Sequence, residues 1–235
     1  MKPSDRILEI GCGTGVMITL PLAESCYDIK GFDEDSSSIE YGQKVLTSSG
    51  LDSNILKQDL KGVDSRSFDV IIASEVVEHI DDDDMGAFFD NVQHYLKPGG
   101  LLLVTVPNGY GCFEIENAIW SQFGLGRLLS YLYIDRAVLE LKQVLGFKNL
   151  IYPHPSTLSA SPHLQYFTVK SICRLIETSE FEVLQSAGST LMSGPITNLL
   201  FGGLPVFFRI NNFLGKRLKY MASGIYIAAQ SNKAR

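Results

Sequence analysis

The run Glu9-Ile10-Gly11-Cys12-Gly13-Thr14-Gly15 follows a short apolar stretch, Arg6–Ile10, and sets three glycines at alternate positions behind a carboxylate. Glycines let the chain turn tightly and let a ligand touch main chain, because no Cβ intervenes. The dinucleotide pattern is GxGxxG, whose third glycine falls one residue later. Here the pattern is GxGxG, and the acid two residues ahead of it suits a cation and repels pyrophosphate. Asp33 follows about twenty residues on, at the end of a second apolar segment, where a carboxylate can accept two hydrogen bonds from ribose hydroxyls. Taken alone, Asp33 reads equally well as a helix cap. Asp59-Leu60 offers an acceptor for an adenine amino group and an apolar surface for its ring, or else a turn-forming aspartate.

Ser74-Glu75-Val76-Val77-Glu78-His79 ends another apolar run. On a helical turn Glu75, Glu78 and His79 would share a face through their i, i+3, i+4 spacing. Three readings stand side by side. His79 is a general base, since imidazole titrates near neutral pH; the trio holds a divalent metal; or Glu78 and His79 form a local pair that fixes the turn.

The elements that must position these groups follow from periodicity. Strands are predicted at Arg6–Ile10, Asp28–Phe32, Asn54–Gln58, Phe68–Ala73, Leu101–Val106, Glu182–Ala187 and Ile225–Gln230. Helices are predicted at Thr14–Ser25, Ser36–Ser49, Met85–Leu96, Cys112–Phe123, Gly126–Leu145 and Val169–Glu177. The Asp81–Asp84 run precedes the third of these, where the macrodipole favours carboxylates. Lys97-Pro98-Gly99-Gly100 is read as its stop, and Thr168 as the cap of the last. Alternating strands and helices predict an α/β fold with a doubly wound, mostly parallel sheet of seven strands. In such sheets the ligand sits beyond the carboxyl ends of the strands.

In this order and spacing, ILEIGCGTG, GFDED, QDL, FDVIIASEVVEHI and LKPGGLLLVTVPN resemble the class I methyltransferases that use S-adenosylmethionine, in particular the type 11/23-like group. That cofactor carries an ammonium and a sulfonium and no phosphate, in keeping with Glu9. The resemblance covers residues 5–107 well and resumes weakly over 165–187 and 224–231. It implies a Rossmann-like methyltransferase fold whose pocket is lined by Glu9, Gly11, Gly13, Asp33, Asp59, Leu60 and Ser74. Cys12, Gly15, Glu34 and Glu75 complete the expected binding set, and His79 is the expected catalytic residue. No metal is expected, although Glu75, Glu78 and His79 resemble the segment of quinone-type O-methyltransferases. Relatives usually carry helices ahead of the first strand, and this chain has almost nothing there.

At 235 residues, with 45% hydrophobic and 20% charged side chains, the chain suits a single soluble domain spanning 1–235. Four scattered cysteines suggest neither a disulfide framework nor a zinc site, which favours a cytoplasmic setting. The net charge of −6 argues against nucleic acid, but residues 1–100 hold 19 acidic and 8 basic groups whereas 101–235 hold 7 and 12. Residues 108–167, after the fifth strand, and 190–222, before the last, read as lid or substrate insertions. The second is apolar and basic around 199–219, which fits a lid or a peripheral contact with the inner face of a membrane. The acceptor is expected to be a small or lipid-linked molecule, with O-methylation of a small molecule, a glycan precursor or a prenylated aromatic as the reaction. A non-catalytic cofactor-binding scaffold and a nucleotide-dependent oxidoreductase are the rival readings.

Overall fold

A computed structural model of the protein describes residues 2–147 and 164–232. His154 and His163, the two other histidines considered for the substrate, lie outside the described residues.

The strands β1 (Arg6–Ile10), β2 (Asp28–Phe32), β3 (Leu56–Lys57), β4 (Phe68–Ser74), β5 (Leu96–Pro107), β6 (Phe181–Gly188) and β7 (Gly224–Ser231) form one sheet in the order β3-β2-β1-β4-β5-β7-β6. The first five run parallel to one another. Gln230 reaches Gly99 while Ser223 meets Asn108, and Asn232 bonds Glu180 while Gly224 bonds Ser189, so β7 runs against both β5 and β6. Ile7, Leu8, Val70, Ile71, Leu102 and Val104 are buried, as strands covered on both faces require. Register places the site: Ile10 stands opposite both Phe32 and Ala73, so the ends of β1, β2 and β4 are level.

Several boundaries differ from the sequence expectation. The helix predicted at 14–25 is only α1 (Thr19–Glu24), because the glycine loop continues through positive φ at Gly15. The third strand shrinks to Leu56–Lys57 behind a 3-10 turn at Ser53–Ile55, whose start is capped by Asp52. Helix α2 (Ser36–Ser48) is capped by Asp35, which accepts from the amides of Ser37 and Ser38. Helix α3 (Asp82–Tyr95) takes in Asp82, Asp83 and Asp84 as its first turn. Lys97–Gly100, read as a stop, already belongs to β5.

The chain divides into two compact units, one of residues 1–106, 172–186 and 227–235, the other of 107–171 and 187–226. The second gathers both insertions. It holds α4 (Cys112–Asn117), which runs into a π turn at Ala118–Gln122, then α5 (Leu125–Tyr131) and α6 (Ile134–Val144). The single helix expected over 126–145 is broken at Tyr133, whose φ is 57°. Helix α7 (Val169–Thr178) starts in this unit, with the Thr168 hydroxyl accepting from the amide of Ser171 at 3.1 Å. The stretch after β6, for which no helix was predicted, contains α8 (Pro195–Phe201) and α9 (Pro205–Arg217). Each has proline in its first turn, where a missing N–H costs nothing. Opposite charges bracket α8: buried Glu116 accepts from the amide and hydroxyl of Thr197 at 2.7 and 2.6 Å, and buried Lys142 donates to Gly202 O at 3.0 Å. Each charge sits at the helix end the macrodipole favours.

Candidate active site

The loop after β1 is built around three left-handed glycines, with φ of 69° at Gly11, 52° at Gly13 and 68° at Gly15. Their reasons differ. A Cβ on Gly11 would lie 2.4 Å from Val76 Cγ2, and one on Gly15 would lie 2.9 Å from Leu56 Cδ2. A Cβ on Gly13 would meet nothing within 4 Å. Gly11 and Gly15 are therefore demanded by packing as well as by φ, whereas Gly13 turns a bare backbone face to open space. The Cys12 amide donates to Phe32 O at 2.9 Å and so ties the loop to the end of β2.

Asp33 follows at that end. Its Oδ2 accepts from the Gly13 amide at 2.7 Å and its Oδ1 from the Asp35 amide at 2.9 Å. The helix-cap alternative belongs instead to Asp35. Each carboxylate oxygen of Asp33 keeps a further lone pair for a ligand hydroxyl. Glu34 is exposed beside it, and its carbonyl accepts from Gln58 Nε2 at 3.3 Å.

Glu9, at the end of β1, is 3% exposed and accepts from the Thr19 hydroxyl. Burial pushes its carboxyl up to about 7, against the pull of the Thr19 bonds and with some help from Asp33. Burial likewise raises the Cys12 thiol, so this cysteine packs the loop as a neutral group. A cationic ligand beside Glu9 would favour the ionised carboxylate. Ligand affinity is then expected to strengthen severalfold as pH rises from about 6 to 7.5, with proton release on binding, and Glu9→Gln should flatten that slope. Titration calorimetry in buffers of different ionisation enthalpy reads both.

Asp59 is exposed, accepts from the Lys61 amide at 3.0 Å and lies 3.5 Å from Lys61 Nζ; Leu60 is half-buried beside it. The turn-forming role of Asp59 is present in the structure.

At the end of β4, the Ser74 hydroxyl pairs with that of Thr105 at 2.8 Å, and the Thr105 hydroxyl donates to Glu75 Oε1 at 3.0 Å. Glu75 has a φ of 55° and lies outside the 3-10 turn Val77–His79, so the helical face expected to carry Glu75, Glu78 and His79 together does not form. The turn keeps Glu78 and His79 as neighbours, with Glu78 Oε1 4.0 Å from His79 Nε2. Glu78 is 1% exposed, and neither carboxyl oxygen has a hydrogen-bond partner. Burial, with the nearby Glu75 carboxyl, pushes it well above the usual carboxylate range. Among the described residues, no group of three or more His, Cys, Asp and Glu side chains is arranged to hold a metal ion.

Supporting residues escaped the sequence reading. Gly31 within β2 and Gly42 within α2 give room to the loop: a Cβ on Gly42 would sit 2.3 Å from Thr14 O, and one on Gly31 would sit 2.6 Å from Leu56 Cδ2. Glycine weakens the interior of a strand or helix, and its presence there was the available signal.

The fold is that of solved S-adenosylmethionine-dependent methyltransferases. One from Methanosarcina mazei superposes with a TM-score of 0.56 at 21% identity, covering 98% of this chain and 94% of that one. One from Mesorhizobium loti gives 0.55 at 12% identity, covering 98% and 93%. A family model described as a methyltransferase domain matches residues 1–186, and the chain belongs to that family. It is also similar to ubiquinone biosynthesis O-methyltransferases, being 33% identical to that of Chelativorans sp. over 105 residues, 44% of this chain and 40% of the relative. For the Nitrobacter winogradskyi protein the identity is 31% over 122 residues, 52% of this chain and 42% of the relative. The chain thus matches about two fifths of the length of these curated relatives.

Proposed function

We propose that this chain is an S-adenosylmethionine-dependent methyltransferase that methylates a hydroxyl of a small acceptor. One observation carries the reading: a bare Gly13 backbone faces open space in a loop that is preceded by a buried acid, Glu9, and held by a ribose-ready acid, Asp33. These residues fit a phosphate-free, cationic nucleoside. When bound, that cofactor supplies a methyl group on a sulfonium, a leaving group that needs no proton. Glu9 would hold its ammonium, Asp33 the ribose hydroxyls, and Leu60 the adenine ring.

His79 would take the acceptor's hydroxyl proton at Nε2 and pass it to water, its side chain being 31% exposed. Positioned proton transfer contributes about 10²–10⁴-fold. His79→Ala is accordingly expected to lower turnover about 100-fold while leaving S-adenosylhomocysteine affinity unchanged. Transfer of labelled methyl to a panel of phenolic, glycan-precursor and prenylated aromatic hydroxyl compounds tests both points. Full activity of the variant would remove the base role, and transfer only to amines would remove O-methylation.

The relatives' name, ubiquinone biosynthesis O-methyltransferase, supports a hydroxyl acceptor, and a lipid-linked one with peripheral contact through 199–219 belongs to the same reading. Among the described residues no helix is long and apolar enough to cross a membrane. The proposed location is the cytoplasm, at its boundary with the membrane.

A further inference from the structure

Helix α9 is built inside out. Its inward stripe is Asn211 and Gly215, both buried, with half-buried Phe207 one turn earlier stacked on Phe201 at 4.7 Å. Polar and backbone contacts hold that stripe in place. Asn211 Oδ1 accepts from the Met192 amide at 2.9 Å, its Nδ2 donates to Met192 O, and its own carbonyl accepts from the Leu191 amide at 3.2 Å. Gly215 packs directly on main chain, since a Cβ there would lie 1.8 Å from Ser189 O. The outward faces carry the apolar residues instead: Val206, Phe208, Ile210 and Phe213 are 67, 60, 53 and 57% exposed. An ordinary surface helix has the opposite arrangement.

The charge of the same region selects what covers it. Residues 187–226 contain no Asp or Glu and four basic residues, Arg209, Lys216, Arg217 and Lys219. The unit of 107–171 and 187–226 carries nine Lys and Arg against four Asp and Glu, a net of +5, whereas the other unit carries eleven against twenty-two, a net of −11. Apolar side chains flanked by cations match a surface that offers negative headgroups above hydrocarbon. A second copy meeting face to face would set +5 against +5, which like-charge repulsion disfavours.

We propose that α9 is a membrane-seating helix, which inserts Val206, Phe208, Ile210 and Phe213 among the acyl chains of an anionic bilayer while Arg209, Lys216 and Arg217 pair with its headgroups. This names the partner surface for a lipid-linked acceptor but does not depend on that acceptor, because seating is read without methyl transfer.

Flotation of the full chain with vesicles of phosphatidylcholine alone, and of phosphatidylcholine with phosphatidylglycerol, tests it. The anionic vesicles are expected to carry the protein and the neutral ones to carry much less, with binding weakened by salt. Phe208→Asp with Phe213→Asp should cut partitioning about tenfold or more, and Lys216→Gln with Arg217→Gln should do likewise. All four positions are exposed, so folding should survive; unchanged S-adenosylhomocysteine binding and melting confirm it, and they separate a failure of seating from a failure of the cofactor reading. No flotation, equal flotation with neutral vesicles, or variants that float like the parent would overturn the proposal. So would sedimentation showing a dimer that Phe208→Asp dissolves, which would make the face a self-interface.

Discussion

Asp33→Ala is expected to lower affinity for S-adenosylhomocysteine about 100-fold or more, with the fold retained. A hydrogen bond to a charged group contributes about 1.5–3 kcal/mol, and the two ribose hydroxyls would lose two of them. The substitution also releases the Gly13 amide, which Asp33 Oδ2 holds at 2.7 Å, so the loop loses the tie that presents its backbone. Asp33→Asn should fall between parent and alanine variant, since one side-chain oxygen survives as acceptor. Titration calorimetry measures the affinity and circular dichroism the fold. Unchanged affinity in a folded Asp33→Ala protein would remove the ribose assignment.

Gly13→Val should abolish cofactor binding for a different reason. At φ 52° a β-branched residue is strained by about 1–2 kcal/mol, yet its Cβ meets no protein atom within 4 Å. The folded chain therefore tolerates the change, and the valine methyls occupy the space assigned to the ligand. Gly11→Ala should behave in the opposite way: its Cβ would press on Val76 Cγ2 at 2.4 Å, so the melting temperature drops before binding is even considered. Thermal melts with and without S-adenosylhomocysteine separate the two. Gly13→Val should lose the ligand-induced rise while keeping most of its own stability, and a normal rise would show that the open face of Gly13 is not the ligand's.

The parallel half of the sheet was legible because buried strands such as Phe68–Ser74 are near-continuous apolar runs, and because the glycine loop has few other uses at a strand end. Asp33 was legible through its distance from that loop. The helix after the loop was overextended because Val16, Ile18, Leu20 and Leu22 run on as one apolar stretch, while the left-handed turn at Gly15 is a matter of packing on Leu56. The turn at Glu75 misled for a related reason: i, i+3, i+4 spacing holds only if the backbone is helical, and a φ of 55° breaks it. Helices α8 and α9 went unread because the insertion at 190–222 shows no clear helical apolar period, although each helix opens on a proline, a residue suited to a first turn. The outward apolar face of α9 defeats periodicity reading altogether, since the buried side of that helix is the polar one.

Titration of the full chain with S-adenosylhomocysteine and, separately, with NAD tests the cofactor site most directly. Saturable one-to-one binding of the first and none of the second is the expected outcome. Binding of NAD alone, or of neither, would contradict a sulfonium-nucleoside site at the ends of β1, β2 and β3.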